Sequence, residues 1–225
     1  MKKLLIFFCL LISQQLIYSQ KLNQVSFRNG SDLNYFTIIT DQDVLVRIAP
    51  DGKILEWGYE ELSTRGTFYS TKLQPFLGRT DYFGDESDPY FKGKLKSIGT
   101  AYFTYYGPQE EELKKGKLKS IGKLELDYYS RFDEKNIQGK LKFIGHHLLE
   151  YFKAFENEAY RGKLKAIGPL SVTYYSLIDD RYNIGKLKTI GSISYAWHTP
   201  LDRNKSGLKS FNYRSTISGI TMVLR

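Results

Sequence analysis

The heptapeptide Gly93-Lys94-Leu95-Lys96-Ser97-Ile98-Gly99 decides the fold of this chain, because it returns four more times at a constant spacing. The later copies start every 23 residues, at Gly116, Gly139, Gly162 and Gly185, and all five share the pattern Gly-Lys-Leu-Lys-x-Ile-Gly. Self-similarity at a fixed period of this size is typical of repeat architectures, in which each unit packs on its neighbours. The chain is therefore predicted to contain a regular array of small structural units.

The second half of each unit carries the alternation of a β-strand. In the second unit, Leu124, Leu126 and Tyr128 alternate with Glu125 and Asp127, and the other units follow the same pattern. Such period-two alternation predicts a half-buried strand. The Lys-Leu-Lys part alternates as well, with leucine predicted inward and both lysines outward. Each unit is therefore predicted to be a β-hairpin, and the 23-residue repeats an all-β antiparallel meander.

The connection between the two strands of a unit can be inferred from which residues share a face. Residues that pair across a hairpin lie on the same face of the sheet. A three-residue loop, residues 97–99, pairs Leu95 with Ala101 and keeps the apolar side chains together, whereas a two-residue loop at 98–99 mixes the faces. We therefore expect the three-residue loop, with Gly99 in the left-handed conformation. The alternative is a bend without reversal, which would wind the chain into a β-solenoid.

The regular repeats occupy residues 93–206, and the flanking segments differ from them. Residues 20–92 are predicted to hold N-terminal strands and diverged capping repeats, among them residues 52–58, and residues 207–225 are predicted to hold C-terminal capping strands. Pro50-Asp51-Gly52 is a turn sequence, so residues 44–48 and 53–57 are predicted to form a further hairpin. Nine-residue acidic links join the units and are predicted to be surface loops, each pinned by one apolar side chain, namely Phe132, Phe155 or Ile178.

Residues 1–19 are predicted to be a secretory signal peptide. Lys2 and Lys3 precede an apolar run over residues 4–12 that is too short to span a bilayer. Cleavage is expected before Gln20, which places the mature protein in the periplasm, at the cell surface or outside the cell. The only cysteine, Cys9, lies in the removed segment, so the mature chain must be stabilised without disulfides. No later segment has the length of apolar sequence that a membrane span needs.

The repeat units resemble those of uncharacterised secreted bacterial β-repeat proteins with Gly-Lys-[Leu/Val]-Lys-x-Ile-Gly units that end in Tyr-Tyr, over roughly residues 44–200. This resemblance implies export and a β-repeat fold, and it brings no activity or catalytic residues. The 23-residue period and the short glycine-punctuated hairpins are also similar to MORN repeats, although the Tyr-x-Gly-x-Trp core of that family is absent.

Two lysines recur in every unit and form the first candidate binding face. The full-chain net charge of +9 falls to +7 when the two lysines of the signal peptide are removed, and a basic balance favours anionic partners. Such a face could bind an anionic polysaccharide, the envelope surface or an acidic protein, with nucleic acid less favoured; alternatively it only resists aggregation, and the acidic loops neutralise it. The first column contains Lys94, Lys117, Lys140, Lys163 and Lys186, and the second column contains Lys96, Lys119, Lys142, Lys165 and Lys188.

A row of aromatic residues forms the second candidate site. By the same alternation, the second ring of each Tyr-Tyr pair is predicted on the outer face, where rings can stack on sugars or pack beneath a covering loop. The first ring, as in Tyr105, Tyr128, Tyr151, Tyr174 and Trp197, is predicted to belong to the core; we call this set the inner aromatic row. The outer aromatic row comprises Tyr106, Tyr129, Phe152 and Tyr175, followed by His198.

No catalytic, metal-binding or cofactor-binding residues are predicted. The mature chain has no cysteine nucleophile and no Gly-x-Ser-x-Gly elbow, and its three histidines show no ligand spacing. The expected function is that of a secreted or cell-envelope, non-enzymatic repeat scaffold that binds anionic polymers through its lysine face. The alternatives are a carbohydrate-binding protein that uses the outer aromatic row and an enzyme that cleaves glycans with two loop carboxylates.

Overall fold

The computed structural model describes residues 20–61, 72–202, 205–209 and 213–224, so the predicted signal peptide lies outside the described residues. These residues form an all-β structure of two sheets, with a short 3-10 helix at Glu158–Tyr160. The strands are β1 (Lys21–Arg28), β2 (Asp32–Ile39), β3 (Leu45–Ile48), β4 (Ile54–Gly58), β5 (Thr80–Tyr82), β6 (Leu95–Ile98), β7 (Ala101–Tyr105), β8 (Leu118–Ile121), β9 (Leu124–Tyr128), β10 (Leu141–Ile144), β11 (His147–Tyr151), β12 (Leu164–Ile167), β13 (Leu170–Tyr174), β14 (Leu187–Ile190), β15 (Ile193–Ser194), β16 (Arg214–Ile217) and β17 (Ile220–Leu224).

The repeats form an open meander of eleven antiparallel strands, β5 to β15 in chain order. Each strand between β5 and β15 pairs with the one before it and the one after it, which confirms the predicted hairpin meander and contradicts the solenoid alternative. Strand β5 acts as the end of a preceding unit, since Phe83 donates to the carbonyl of Lys94 just as Tyr106 donates to that of Lys117. The meander therefore begins at β5, before the first regular heptapeptide.

The hairpin turn is shorter than the sequence analysis predicted. Ile98 pairs with Ala101, so the loop consists of Gly99 and Thr100 and not of residues 97–99. Gly99 has a φ of +54°, and Thr100 is not among the residues with positive φ, as in a type II′ turn. The same two-residue turn recurs in the later units, and in the fourth unit its second position holds Pro169, which fits the negative φ there.

The prediction of a three-residue loop failed because each Lys-Leu-Lys-x-Ile strand contains a β-bulge. Thr104 pairs with Ser120, but the next residue, Tyr105, pairs with Leu118, so Lys119 has no partner on the neighbouring strand. A bulge of this kind changes which side chains share a face. As a result Leu118 and Ile121 both point into the core, although they are three residues apart.

The two ends of the chain build the second sheet, whose strand order is β16-β17-β1-β2-β3-β4. Strand β17 runs parallel to β1, and the other neighbours are antiparallel. The predicted hairpin at Pro50-Asp51-Gly52 is confirmed by the pairing of β3 with β4. Because β4 belongs to this sheet, residues 52–58 lie outside the meander and are not one of its repeats.

The six-stranded sheet packs on one face of the meander around a single hydrophobic core. Val25, Phe36 and Ile48 from the six-stranded sheet and Leu141 and Ile190 from the meander are all fully buried in it. Two turns of the six-stranded sheet also bond to the meander backbone, since the carbonyls of Pro50 and Gly30 accept from the N–H groups of Leu141 at 2.7 Å and Leu187 at 2.8 Å. The opposite face of the meander, called the outer face below, carries the second-column lysines.

Candidate functional site

The first-column lysines are half-buried, and four of the five bind the backbone of the next repeat, whereas Lys186 donates to Asn183 Oδ1 at 2.9 Å. Lys140 Nζ donates to the carbonyl of Gly162 at 2.7 Å, and Lys163 Nζ donates to that of Gly185 at 2.8 Å. Lys94 and Lys117 make the equivalent bonds to Gly116 and Gly139. The prediction that both lysine columns point freely outward is therefore wrong for this column, because its ammonium groups satisfy carbonyls at the edge of the sheet.

Each first-column ammonium also lies over a ring of the inner aromatic row. The distance from Nζ to the ring centroid is 4.7 Å for Lys117 over Tyr128 and 5.0 Å for Lys140 over Tyr151. These contacts are cation–π interactions, which gain strength where water is excluded. Burial lowers the pKa values of Lys94, Lys117 and Lys140 below the ordinary lysine value, because a charged ammonium is poorly solvated there.

The second-column lysines are the unpaired residues of the β-bulges, and their side chains reach the outer face. Lys119 lies over Tyr106 with Nζ 5.3 Å from the ring centroid, and Lys142 lies over Tyr129 at 5.4 Å. Lys96, Lys165 and Lys188 make the same contact with the second ring of the preceding unit. The side chains of Lys119, Lys165 and Lys188 are between 41 and 51 % exposed, so this column remains open to a partner.

Carboxylates from the loops pair with several second-column lysines. The oxygen–nitrogen distance is 2.8 Å for Glu156 with Lys165 and 2.5 Å for Asp179 with Lys188. The bond from Lys165 lowers the pKa of Glu156, and the bonds from Lys188 and Ser176 hold the pKa of Asp179 well below its usual range. In the described ranges Lys96 and Lys142 form no ion pair, so part of the column is left uncompensated.

These loop carboxylates were not predicted as a set, although their spacing in the sequence indicates one. They share the 23-residue period of the lysines. Four of them stand nine residues before a second-column lysine, and the last, Asp202, stands nine residues before the equivalent position after the fifth repeat. Four of them, Asp133, Glu156, Asp179 and Asp202, accept the N–H of the residue three positions earlier and so close a tight turn. The full set is Glu110, Asp133, Glu156, Asp179 and Asp202.

The outer aromatic row is covered, as in the alternative in which the rings pack beneath a loop and not as in an open stacking surface. Tyr106 and Tyr129 are buried and donate their hydroxyls to the carbonyls of Leu126 and Leu149, each at 2.8 Å. Phe152 packs beneath Tyr160 of the following loop, with ring centroids 4.6 Å apart. Tyr175 is partly buried and donates to the carbonyl of Tyr195. The rings face the loops that fold over them, so their flat sides are not available to a sugar.

An open cleft of about 530 Å³ lies where the β3–β4 turn meets the first regular repeats. Its walls include the rings of Trp57, Tyr82 and Tyr105, with Trp57 and Tyr82 6.4 Å apart between centroids. Lys53 and Lys94 also line it, together with Lys117. A mainly apolar cleft bordered by ammonium groups suits a ligand with an apolar body and an anionic group.

The described part of the chain contains no group of three histidine, cysteine, aspartate or glutamate side chains placed to hold a metal ion. Among the same residues, no helix has the length and apolar character that crossing a bilayer requires. No protein-family model, curated protein or solved structure matches this chain.

Proposed function

We propose that this protein is a non-enzymatic β-repeat scaffold, exported to the cell envelope or beyond, whose second-column lysines bind anionic polysaccharide. Export is supported by the two lysines and the short apolar run at the start of the sequence. The scaffold role is supported by the bonds between successive repeats, in which lysine and tyrosine side chains donate to backbone carbonyls of the following unit. Such nearest-neighbour bonding builds an extended and regular surface.

One observation carries the binding proposal, namely the difference between the two lysine columns. First-column ammonium groups bind carbonyls within the protein, whereas second-column ammonium groups face solvent on the outer face. Successive second-column lysines are two strands apart, roughly 9 to 10 Å, so a polymer with regular negative charge could contact several units at once. Several weak contacts on one chain add to a useful affinity.

The experiment compares matched lysine variants in binding to heparin, used here as the probe polyanion. Lys119→Gln, Lys142→Gln and Lys165→Gln together should weaken binding by roughly tenfold or more at low salt, and the difference should shrink as salt rises. The control triple variant Lys117→Gln, Lys140→Gln and Lys163→Gln removes the same charge from the first column and should weaken binding less. Equal losses would show that heparin senses only net charge, and absence of binding by the wild type would exclude the proposal.

A further inference from the structure

The four loops that follow the second to fifth repeats each carry an exposed apolar side chain at the same repeat position. These residues are 23 positions apart, and each is the third residue of the tight turn that opens its loop. Such side chains were predicted to pin the loops to the protein, but in the structure they are exposed to solvent. The tip residues are Phe132, Phe155, Ile178 and Leu201, which are 84 %, 80 %, 98 % and 74 % exposed.

The loops are held by other residues. Ile137 is 4 % exposed and belongs to the core, and Tyr160, at the same repeat position, packs on Phe152 and Tyr174. In these two loops one apolar side chain, Ile137 or Tyr160, therefore packs on the protein while the side chain at the tip does not. The tip residues do not pack in the hydrophobic core, so the packing of the chain does not explain why apolar residues recur at this position.

The tight turn explains why the tip side chain points away from the protein. In the loop that starts at Ser130, the carboxylate of Asp133 turns back and accepts from the N–H and the hydroxyl of Ser130, at 2.7 and 2.9 Å. In the last loop Asp202 does the same with Thr199, at 2.7 and 3.0 Å. The acid is bound within the turn, and the apolar residue before it projects outward. The carboxylate that follows each tip residue thus already has hydrogen-bond donors within its own turn.

The four tips lie along one edge of the meander. Equivalent positions in neighbouring units are two strands apart, roughly 9 to 10 Å, so the row is about 30 Å long. A single exposed apolar side chain on a protein surface needs no explanation, but a regular row of them indicates an interaction site. The first loop has Gln109 at this position, so the row begins with the second loop.

The shape of the row favours a lipid surface over a second copy of the chain. Four side chains can bury roughly 600 to 1,000 Å², at about 150 to 250 Å² for an aromatic ring, which is near the area of about 800 Å² per partner in a stable dimer. A dimer interface also needs close shape complementarity, which a row one side chain wide does not provide. A bilayer interface needs no such complementarity, because lipids adapt to inserted side chains. Two tips also carry a cation that can meet lipid phosphates: Arg131 lies over Phe132 at 4.9 Å, and Lys153 lies over Phe155 at 5.9 Å.

We propose that the four loop tips insert side by side into the interface of a lipid bilayer and hold one edge of the meander against the membrane. This site is distinct from the second-column lysines, and it does not depend on polysaccharide binding. Insertion of apolar side chains should persist at high salt and on zwitterionic lipid, because it does not depend on charge. The cations at Arg131 and Lys153 should add a smaller contribution on anionic lipid.

The test is co-sedimentation of the purified exported chain with vesicles of phosphatidylcholine, with and without phosphatidylglycerol. Replacing all four tips by serine should reduce the partition coefficient by roughly a hundredfold or more, since burial of each apolar side chain contributes up to about tenfold. The control Leu77→Ser with Tyr102→Ser removes two side chains that are 95 % and 64 % exposed outside the row, and it should change binding less than about twofold.

Three outcomes would overturn the proposal. The wild type could fail to sediment with either kind of vesicle. The serine variant could bind as well as the wild type while its circular dichroism shows the same fold. Sedimentation velocity without lipid could show that the wild type self-associates and the serine variant does not, with no vesicle binding by either, which would assign the row to a second copy of this chain.

Discussion

The two lysines of each repeat stand two residues apart and recur with equal regularity, yet they lie in different surroundings. Lys140 is half-buried, donates to the carbonyl of Gly162 and covers Tyr151, whereas Lys142 is the bulge residue and has no ion pair among the described residues. The same residue type is therefore repeated for two separate reasons. Regular recurrence in a repeat protein indicates a constant environment in each unit, and it does not by itself indicate a ligand.

The largest expected effect concerns the rings beneath the two columns and appears at alkaline pH. Burial raises the pKa of Tyr128, beneath Lys117, well above its ordinary value, and it raises the pKa of Tyr129, beneath Lys142, to about 12. In the unfolded chain both hydroxyls ionise near pH 10. Above that pH the folded chain binds more protons than the unfolded chain does. The stabilisation present below about pH 10 is therefore lost as the pH rises through the pKa values of the folded state.

We therefore expect the free energy of unfolding to fall steeply between about pH 10 and pH 12, as measured by urea unfolding. The lowered pKa of Lys117 acts in the opposite direction, but the raised tyrosine pKa values are more numerous and should prevail. Tyr128→Phe should reduce this alkaline loss more than Tyr129→Phe does. If both variants lose as much stability as the wild type over this pH range, burial of the hydroxyls is not what limits stability at high pH.

The second prediction compares the two columns directly through Lys140→Met and Lys142→Met. Methionine keeps an unbranched apolar stem and removes the charge in both cases. Lys140→Met should cost about 1 kcal/mol of stability, because a charged hydrogen bond to Gly162 is lost while the cost of burying the ammonium is also removed. Lys142→Met should stay within about 0.5 kcal/mol. Urea unfolding at neutral pH measures both, and equal losses would contradict the distinction between the columns.

The sequence was sufficient to predict the parts of the fold that depend on local patterns. The period, the alternation in residues such as Leu124 and Leu126, and the glycine at each turn predicted an all-β hairpin meander, which the structure confirms. The loop length was wrong because the bulge at Lys119 depends on the register of the neighbouring strand, which the segment alone does not specify. The parallel pairing of β1 with β17 joins residues at opposite ends of the chain, and no local pattern predicts it.

The candidate sites were harder to predict because exposure depends on what lies above a residue. The alternation correctly separates Tyr128 from Tyr129, but it cannot show that a loop residue such as Tyr160 covers the outer row. The same difficulty explains the loop tips, where Phe132 and Ile137 are both apolar and only the turn at Ser130 decides which of them enters the core. In both cases the deciding contact is a hydrogen bond or ring contact outside the strands.

The smallest expected effect concerns how strongly the loop carboxylates bind the second-column lysines. Glu156 binds Lys165 at 2.8 Å and also accepts the N–H of Lys153. Glu156→Gln keeps an oxygen for that N–H but removes the charge, so it isolates the ion pair with Lys165. Because both side chains contact solvent, the variant should lose less than about 0.5 kcal/mol, and the coupling energy in a double-mutant cycle with Lys165→Gln should be equally small.

A small coupling energy would leave Lys165 free to exchange the loop carboxylate for an external anion at little cost, as binding through the second column requires. The coupling should fall further at high salt, because the pair is accessible to solvent. A value above about 1.5 kcal/mol would place Lys165 among the structural lysines, together with the first column. The outer face would then be a charge-compensated surface, and a polyanion could bind there only by breaking contacts that stabilise the loops.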